Sequence, residues 1–415
     1  MTVDALSVLA AAAEVPDAPA VIFEDRVLTF AAVAAAVREH RTRSRARVAE
    51  PTLDTLVAIY AALAEHEPIA LLHPKLAPAE LARQAAAAAE PPADTAVVLF
   101  TSGSTAQARG VAISRAAISA NARASAAHLP LGPADRWLLA LSLAHSGGLS
   151  VLTRCLIARA PILFETGRSL LARATLASLV PTQLAALLED PAWHPSPALR
   201  AILLGGAAAS PALLAAARAR GVPIRATYGL TETFGQVATA LDATSAPMPL
   251  PGVTLVAGTA AAPALIRIRG PMLATRYLDG AAISPDFATA DLGYLDAAGA
   301  LHVAGRADDV IITGGENVHP AAVEAVLATT PGVRAALAFG LPDARWGQLV
   351  AVALAVAEPV AFDLTAATAH WRAALPSHAL PRRVALVTAL PEGVTGKLDR
   401  RAAAALPAVP VVYSR

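Results

Sequence analysis

The feature that most constrains the fold is an alternation of short apolar runs with alanine- and leucine-rich stretches of helical composition. Apolar runs typical of buried strands stand at residues 161–164, 177–180, 201–204 and 224–228. Residues 211–220, between the last two runs, have the composition of a helix. Because successive parallel strands must be joined by crossover segments, usually helices, this alternation predicts an α/β fold with largely parallel sheets.

Length and hydropathy predict two domains without a membrane segment. A chain of 415 residues exceeds what one hydrophobic core usually serves, so we expect a large domain and a smaller one. Hydrophobic residues make up 55% of the chain but aromatic residues only 4%, which indicates packing of small side chains. We find no clear span of about 20 residues free of charge and proline. Residues 6–13 lack the basic flank of a secretory signal, so a cytoplasmic protein is expected.

Charge and cysteine content exclude several classes of partner. The formal net charge is +1 and no basic stripe with interleaved aromatic residues is present, which disfavours nucleic acid as a partner. The basic run at residues 38–47 is interpreted as a solvated helix end or loop. Cys155 is the single cysteine and is predicted to be an inert buried thiol on a helix. The ten histidines lack metal-ligand spacing, so any metal is expected to arrive with a nucleotide.

The amino-acid composition and pattern of the chain change twice in its second half. Residues 240–285 are rich in proline and glycine, and the alternation at residues 265–269 predicts a half-exposed antiparallel sheet in a small β-rich subdomain. The chain then restarts as a separate unit after Asp308, which predicts domains at residues 1–307 and 308–415. The elements expected in the second domain are a helix at 320–329, strands at 334–339 and 350–356, and a helix at 363–375.

A hydroxyl-rich loop follows the apolar run at residues 96–100. It reads Thr101-Ser102-Gly103-Ser104-Thr105, and small residues at the end of a buried strand indicate backbone N–H and side-chain hydroxyl groups that bind an anion such as phosphate. On this segment alone, an ordinary strand-to-helix turn is an equal alternative. The loop lacks the Gly-Lys-Ser/Thr of the Walker pattern, which disfavours a kinase or motor ATPase.

Four more segments, in order, decide between those alternatives. They are Tyr228-Gly-Leu-Thr231-Glu232-Thr, Thr289-Ala-Asp291-Leu-Gly293-Tyr294, Gly305-Arg306-Ala-Asp308-Asp309 and Gly393-Val-Thr395-Gly396-Lys397. Together with the loop they resemble the adenylate-forming superfamily, which includes acyl- and aryl-CoA synthetases, peptide-synthetase adenylation domains and luciferase-like enzymes. The resemblance covers nearly the whole chain. It implies a large N-terminal domain with two α/β sheet layers and a small β-rich subdomain, followed by a small mobile α+β domain.

The resemblance assigns a nucleotide site that holds ATP and Mg²⁺. Residues implied to hold the β- and γ-phosphates are Thr101, Ser102, Gly103, Ser104, Thr105 and Arg109. Residues implied to hold the rest of the nucleotide are Tyr228 and Gly229 at adenine, Thr231 at the α-phosphate, Asp291 at the ribose hydroxyls and Arg306 as a second contact, with Glu232 as the Mg²⁺ ligand. The stretch Ala106-Gln107-Ala108-Arg109 departs from the family's Gly-x-Pro-Lys, although Arg109 keeps the positive charge.

Further matches concern the acid and the thiol. Lys397 matches the catalytic lysine, whose charge would bridge the substrate carboxylate and the α-phosphate in the transition state. His145 matches a histidine beside the acyl site, although a structural histidine is the alternative. The turn Gly205-Gly206-Ala207 would line the adenine and acyl pockets. Asp308 matches the hinge about which the small domain swings, and Gly314 and Gly315 would admit the pantetheine thiol of CoA.

The substrate is indicated by residues 177–184 and 199–207. They resemble the o-succinylbenzoate-CoA ligases of menaquinone synthesis, as does the short N-terminal part. The implied reaction converts 2-succinylbenzoate, ATP and CoA into the CoA thioester, AMP and pyrophosphate. A benzoate- or aminobenzoate-type acid, loading onto a carrier protein instead of CoA, and an inactive nucleotide-binding paralogue are the alternatives. A homodimer is compatible with the sequence, which does not fix the oligomeric state.

Overall fold

The chain is organised as two compact units. The computed structural model describes residues 4–23, 26–40, 44–101, 108–164, 171–393 and 398–413. The first unit comprises Met1–Ala207, Ala217–Leu255 and Ile268–Phe287. The second unit comprises Ala208–Ala216, Val256–Arg267 and Ala288–Arg415. The residues named earlier that fall outside the described ranges are Ser102, Gly103, Ser104, Thr105, Ala106, Gln107, Thr395, Gly396 and Lys397.

Helices alternate with strands through most of the chain. They are α1 (Val8–Glu14), α2 (Phe30–Glu39), α3 (Leu53–Glu65), α4 (Pro78–Ala87), α5 (Arg115–His128), α6 (Ser146–Ala158), α7 (Pro181–Leu188), α8 (Pro211–Ala219), α9 (Pro320–Leu327), α10 (Leu364–Ala374) and α11 (Arg400–Ala404). In the part of the chain that the structure describes, no helix is long and apolar enough to span a bilayer.

The strands of the first unit form two sheets. In chain order they are β1 (Pro19–Phe23), β2 (Arg26–Thr29), β3 (Ala46–Val48), β4 (Ile69–Leu72), β5 (Thr95–Phe100), β6 (Gly110–Ser114), β7 (Trp137–Leu138), β8 (Ile162–Phe164), β9 (Leu176–Leu179), β10 (Ala201–Leu204), β11 (Ile224–Leu230), β12 (Gly235–Thr239), β13 (Met248–Pro249) and, later in the chain, β16 (Arg276–Tyr277). One sheet has the order β13-β12-β11-β10-β9-β7-β8-β1-β2 and the other the order β16-β6-β5-β4-β3.

The centre of the nine-stranded sheet is parallel, as the alternation in the sequence predicts. Strands β1, β8, β7, β9, β10 and β11 pair in parallel, and β9 and β10 are buried along their whole length. In the five-stranded sheet, β3, β4 and β5 are parallel. Parallel sheets need helices on both faces to cover their apolar side chains, which explains the runs without polar residues. The predicted α/β class with two sheet layers is therefore confirmed.

The remaining strands form two further sheets. They are β14 (Thr254–Val256), β15 (Ala264–Arg269), β17 (Phe287–Leu295), β18 (Leu301–Arg306), β19 (Ile311–Thr313), β20 (Glu316–Val318), β21 (Val333–Asp343), β22 (Gly347–Val356), β23 (Arg383–Val387) and β24 (Val409–Pro410). A four-stranded sheet has the order β14-β15-β17-β18. In β15, Ile266 and Ile268 are fully buried while Leu265 is 42% exposed, so the predicted half-exposed strand is confirmed.

The sheet nearest the C-terminus belongs to the second unit. Its order is β20-β19-β22-β23-β24, and β21 pairs with β22 in a long antiparallel hairpin. Two predicted helix starts are correct. Pro320 is the first residue of α9, and the Asp363 carboxylate accepts a hydrogen bond from the Ala366 N–H at 2.9 Å at the start of α10.

Two local interpretations of the sequence need adjusting, and one is correct. Part of the basic run is a strand, because β3 pairs with β4 and Arg47 forms a salt bridge with Asp54. Strand β5 leads back into the antiparallel strand β6, so the connection that follows it is a hairpin and not a strand-to-helix turn. Cys155 is buried within α6, where burial raises the pKa of its thiol.

The core of the second unit provides a test of its packing. Trp371 is fully buried and its indole N–H donates to the Thr330 hydroxyl at 2.8 Å. We expect Trp371→Ala to lower the free energy of unfolding by about 4 kcal/mol, because it leaves a cavity and an unpaired hydroxyl. Urea unfolding measures this change. The control Val360→Ala alters a fully exposed side chain and should shift stability by less than about 0.5 kcal/mol. Equal effects of the two substitutions would contradict the packing.

Candidate functional site

The carboxyl ends of parallel strands β7, β9, β10 and β11 meet at one edge of the nine-stranded sheet. The Gly205 N–H, just after β10, donates to the Leu179 carbonyl at the end of β9, at 3.2 Å. A Cβ on Gly205 would lie 2.3 Å from the Thr227 hydroxyl oxygen of β11, so only glycine fits there. Gly206 has a φ of +79°. The turn Gly205-Gly206-Ala207 therefore lies beside Thr227, the residue before Tyr228, at the edge where open α/β sheets bind ligands.

The hairpin of β11 and β12 carries Thr231 and Glu232. A Cβ on Gly229 would approach the Gly235 carbonyl oxygen to 1.9 Å, so glycine allows the two backbones to meet. Residues Thr231–Thr233 form a turn of 3₁₀-helix, in which the Thr233 hydroxyl donates to the Gly235 carbonyl at 2.6 Å. The hairpin thus fixes the direction in which the Glu232 side chain leaves the sheet.

Helix α5 supports this hairpin from its buried side. The Asn121 amide donates to the Thr233 carbonyl at 3.2 Å and to the Gln236 carbonyl at 2.8 Å. The Ser125 hydroxyl donates to the Gln236 side-chain oxygen at 2.9 Å. Because these groups are buried, losing a partner would leave polar atoms unpaired, and the network resists distortion of the turn.

A chain of contacts runs from Glu232 to the second sheet. The Tyr277 hydroxyl, on β16, donates to Glu232 Oε1 at 3.0 Å. The Arg109 guanidinium lies 3.6 Å from the centroid of the Tyr277 ring and donates to Asp279 Oδ2 from Nη2 at 2.8 Å. Burial and the neighbouring Glu232 carboxylate raise the pKa of Tyr277, so its hydroxyl stays a donor. Sequence reasoning missed Tyr277 and Asp279, because the pairing of β16 with β6 that places them has no local signal.

Hydrogen bonds between Thr101 and Arg109 close the base of the hydroxyl-rich loop. The Thr101 N–H donates to the Arg109 carbonyl at 2.9 Å, and the Arg109 N–H donates to the Thr101 hydroxyl oxygen at 3.1 Å. Ser102, Gly103, Ser104 and Thr105 lie outside the described residues, so their part in phosphate binding stays a prediction. The guanidinium of Arg109 is engaged by Asp279 and Tyr277.

His145 stands immediately before α6. Its carbonyl accepts the N–H groups of Gly148 and Leu149 at 3.1 and 3.0 Å. A Cβ on Gly148 would approach the Ser142 carbonyl oxygen to 2.3 Å, which explains the glycine in this motif. The His145 ring lies 5.1 Å from the ring of His73, whose pKa is lowered by burial. Sequence reasoning did not single out His73.

The start of α6 also lies against the β11–β12 hairpin. A Cβ on Gly235 would lie 3.4 Å from the Ser146 hydroxyl oxygen, and Gly235 has a φ of +98°. The residue predicted beside the acyl site and the turn that carries Glu232 are therefore neighbours in the first unit.

Arg154 is an unusual residue further along α6. It is 3% exposed, its guanidinium lies 5.3 Å from the Trp137 ring, and burial lowers its pKa to about 10. Its Nε has no hydrogen-bond partner among the described residues. An unpaired buried cation is costly for the folded state, so such residues often mark a ligand site. The signal for it in the sequence is a single charged residue within the otherwise uncharged residues 149–157, and sequence reasoning overlooked it.

In the second unit, Asp291, Arg306 and Asp308 come together. Asp291 of β17 lies opposite Arg306 of β18 in register, and Arg306 Nη1 is 3.4 Å from Asp291 Oδ1. The guanidinium also holds both oxygens of Asp308, from Nε at 2.8 Å and from Nη2 at 2.7 Å. The paired Asp308 carboxylate raises the pKa of Arg306. The sequence pointed to these three residues separately, and the structure joins them.

The glycine pair lies in the turn between β19 and β20. Gly314 and Gly315 have φ values of +60° and +87°, and the Gly314 N–H donates to the Trp346 carbonyl at 2.8 Å. Lys397 lies outside the described residues. The segment after it is anchored, because Arg400 donates to the partly buried Glu324 carboxylate at 2.8 Å and to the Ala338 carbonyl at 3.1 Å.

The donor set at Glu232 suits a magnesium ion that arrives with phosphate. Among the described residues, no group of three or more His, Cys, Asp or Glu side chains could hold a metal. Mg²⁺ commonly binds one or two carboxylates together with phosphate oxygens and water. One oxygen of Glu232 accepts the Tyr277 hydrogen bond, and the second oxygen is able to face such an ion.

Comparison with known proteins decides the family. Residues 39–278 match the AMP-binding enzyme family, and residues 322–397 match the AMP-binding enzyme C-terminal domain. The chain belongs to the AMP-binding enzyme family. The predicted adenylate-forming superfamily is confirmed.

Relatives in this family align with 74% of this chain. It is 39% identical over 333 residues to a probable 2-succinylbenzoate–CoA ligase of Mycobacterium tuberculosis, covering 74% of this chain and 84% of that protein. It is 34% identical over 333 residues to the 2-succinylbenzoate–CoA ligase of Bacillus licheniformis, covering 74% and 69%. The structure of o-succinylbenzoate CoA synthetase from Bacillus subtilis with its acyl-adenylate intermediate has a TM-score of 0.81 at 27% identity, covering 94% and 96%.

The Gly229 contact yields a test of how the AMP-binding enzyme holds its site. We expect Gly229→Ala to push the two strands of the hairpin apart, lowering stability by about 3 kcal/mol and abolishing ATP binding. Thermal unfolding and calorimetric titration with MgATP measure the two effects. Gly132→Ala is the matched control, because a Cβ there meets no atom within 4 Å. Normal ATP binding by the Gly229 variant would show that the hairpin contact does not hold Glu232.

Proposed function

We propose that this chain is a 2-succinylbenzoate–CoA ligase that activates its acid as an acyl adenylate and then transfers it to CoA. The family membership and the names of the relatives support the reaction class. The observation that carries the choice of acid is the buried Arg154. A second carboxylate on the substrate would supply the hydrogen-bond partner that Arg154 Nε lacks among the described residues.

In the first step a carboxylate oxygen of the acid attacks the α-phosphorus of ATP, and the bond to pyrophosphate breaks. Tyr228 and the turn Gly205-Gly206-Ala207 would enclose adenine, since they lie together at the carboxyl edge of the sheet. Thr231 would contact the α-phosphate and Glu232 would hold Mg²⁺, which neutralises charge on the phosphate oxygens when bound. His145 would border the acyl group at the start of α6.

Lys397 would supply the positive charge that the transition state needs. Charge shifts onto oxygens shared by the carboxylate and the α-phosphate as the bond forms, and a fixed cation there favours the transition state over the ground state. The anchoring of Arg400 to Glu324 and to the Ala338 carbonyl supports this role, because it restrains the chain three residues after Lys397.

In the second step the sulfur of CoA attacks the acyl carbonyl and AMP leaves. We assign this step to residues 308–415 acting as a domain that turns about Asp308, with Gly314 and Gly315 admitting the pantetheine arm. Both glycines have left-handed φ values, which residues with a Cβ rarely adopt, and neither adds a side chain to that turn. Asp291 would hold the ribose hydroxyls, with Arg306 beside it.

We also propose a cytoplasmic location, where ATP and CoA are available. Mass measurement in solution distinguishes a monomer from a homodimer.

The burial of Arg154 within α6 supports an acid with two carboxylates. An acid with one carboxylate at the α-phosphate and another further inside the unit would meet a charge at each end. A monocarboxylic acid would offer no second charge to Arg154 and would therefore gain nothing from this residue.

Pyrophosphate release tests the reaction. With ATP, Mg²⁺ and CoA, we expect turnover with 2-succinylbenzoate and little with benzoate or aminobenzoate, and a drop of about 100-fold in Lys397→Ala, equivalent to about 3 kcal/mol. Selective turnover of another acid would replace the proposed substrate and keep the mechanism. Release of pyrophosphate without thioester formation would point to a carrier-protein acceptor. MgATP binding without turnover of any acid would indicate an inactive paralogue.

Arg154→Met tests the origin of the selectivity. We expect kcat/KM for 2-succinylbenzoate to fall about 100-fold, because the second carboxylate loses its partner, while the slow reaction with benzoate stays unchanged. The thermal midpoint of the free protein should stay equal or rise, because a desolvated charge is removed. Arg159→Met, at the end of the same helix where Arg159 pairs with Glu14, is the matched control and should leave the substrate ratio unchanged. A parallel loss with both acids would contradict the assignment.

A further inference from the structure

Tyr277 lies between two parts of the nucleotide site that the sequence treats separately. Its hydroxyl donates to Glu232 Oε1 at 3.0 Å, and the face of its ring carries the Arg109 guanidinium at 3.6 Å. We propose that Tyr277 is a positioning residue that orients Glu232 toward magnesium and couples it to the base of the hydroxyl-rich loop through Arg109. This inference rests on the proposed role of Glu232 as the magnesium ligand.

The hydrogen bond restricts how Glu232 can bind a cation. A carboxylate with one oxygen held by a phenol presents its other oxygen and coordinates through that atom alone. Groups that hydrogen-bond metal ligands fix the ligand's orientation, and their removal typically costs 10- to 100-fold in metal affinity. Without the hydroxyl, the Glu232 side chain would be less restrained and would lose more conformational freedom on binding the metal.

Strand pairing holds Tyr277 in place. In β16, Tyr277 lies opposite Val111 of β6, and the Leu278 N–H donates to the Gly110 carbonyl at 2.8 Å. A Cβ on Gly110 would lie 2.4 Å from the Leu278 side chain, so glycine permits this close pairing. The backbone of Glu232 is held close to the start of β16, because its carbonyl oxygen accepts a hydrogen bond from the Ala274 N–H at 2.8 Å. Both ends of the Tyr277–Glu232 bond are therefore set by backbone contacts.

Arg109 extends the arrangement to the loop. Its backbone closes the loop on Thr101, while its side chain stacks on Tyr277 and donates two hydrogen bonds to Asp279 Oδ2, from Nε at 3.2 Å and from Nη2 at 2.8 Å. A planar guanidinium makes such a stack and two N–H bonds together, which the ammonium of lysine does not. This explains why an arginine suits the position in this chain. A shift at the loop base is transmitted to the tyrosine that holds Glu232.

Magnesium-dependent ATP binding tests the proposal without turnover. ATP binding by the purified chain is measured by calorimetry over a Mg²⁺ titration and in EDTA, with no acid or CoA present. For Tyr277→Phe we expect the half-saturating Mg²⁺ concentration to rise at least about 10-fold, with ATP binding in EDTA and the thermal midpoint unchanged. The ring, and with it the Arg109 stack, is retained. Tyr413→Phe is the matched control, since it removes a hydroxyl that donates to the Pro381 carbonyl at 3.0 Å.

The outcomes separate this inference from the proposed function. If the wild-type chain shows no Mg²⁺-dependent ATP binding, or Glu232→Gln leaves that dependence unchanged, the magnesium role of Glu232 is wrong and the inference falls with it. If those two behave as proposed but Tyr277→Phe matches the wild type, only the positioning role is overturned. Equal losses with and without Mg²⁺ would also overturn it, because they indicate a structural role alone.

Two further variants keep the test decisive. In a Glu232→Gln background, Tyr277→Phe should have no additional effect on the Mg²⁺ requirement, and an additive effect would contradict coupling through Glu232. If Tyr277→Phe does not fold, Asp279→Asn provides the same test from the surface, because it weakens the hold on Arg109. It should raise the Mg²⁺ requirement by a smaller factor, and an unchanged requirement would overturn the coupling.

Discussion

The site of the first unit depends on the close backbone contact between Gly229 and Gly235. That contact fixes a short hairpin at the end of a parallel strand, and the hairpin turns Thr231 and Glu232 away from the nine-stranded sheet. Helix α5 binds the hairpin from the inside through Asn121. The five-stranded sheet reaches it through Tyr277. Two sheets that share no strand thus hold Glu232 and Tyr277 in one fixed arrangement, because the close approach of the two backbones sets the geometry of the hairpin.

Much of this architecture follows from local patterns in the sequence. The apolar runs at β9 and β10 predict buried parallel strands, and Pro320 and Asp363 mark helix starts, because each of these signals depends on neighbours in the chain. The order of motifs was sufficient for the superfamily, and it led to the roles proposed for Glu232, Asp291 and Arg306. Such motifs are compact turns whose chemistry is visible in a few consecutive residues.

Contacts between distant segments could not be predicted in this way. Tyr277 contacts Glu232, which lies 45 positions earlier in the chain. His73, just after β4, contacts His145, just before α6. Strand β3 forms within a basic run because pairing with β4 outweighs the local preference for a solvated loop. Arg154 was visible as a charge among apolar residues, but its burial became evident only once α6 was packed. Register and burial are properties of the folded chain, and one sequence does not display them.

The link between Arg306 and its two carboxylates has a kinetic consequence. Its contact with Asp291 is 3.4 Å long, whereas its two bonds to Asp308 are 2.7 and 2.8 Å. In the proposed reaction, ribose hydroxyls that bind Asp291 would compete with the longer of these contacts. The two shorter bonds to Asp308 would not have to break when the nucleotide is exchanged. The residue about which residues 308–415 are proposed to turn would thus keep its guanidinium partner from one turnover to the next.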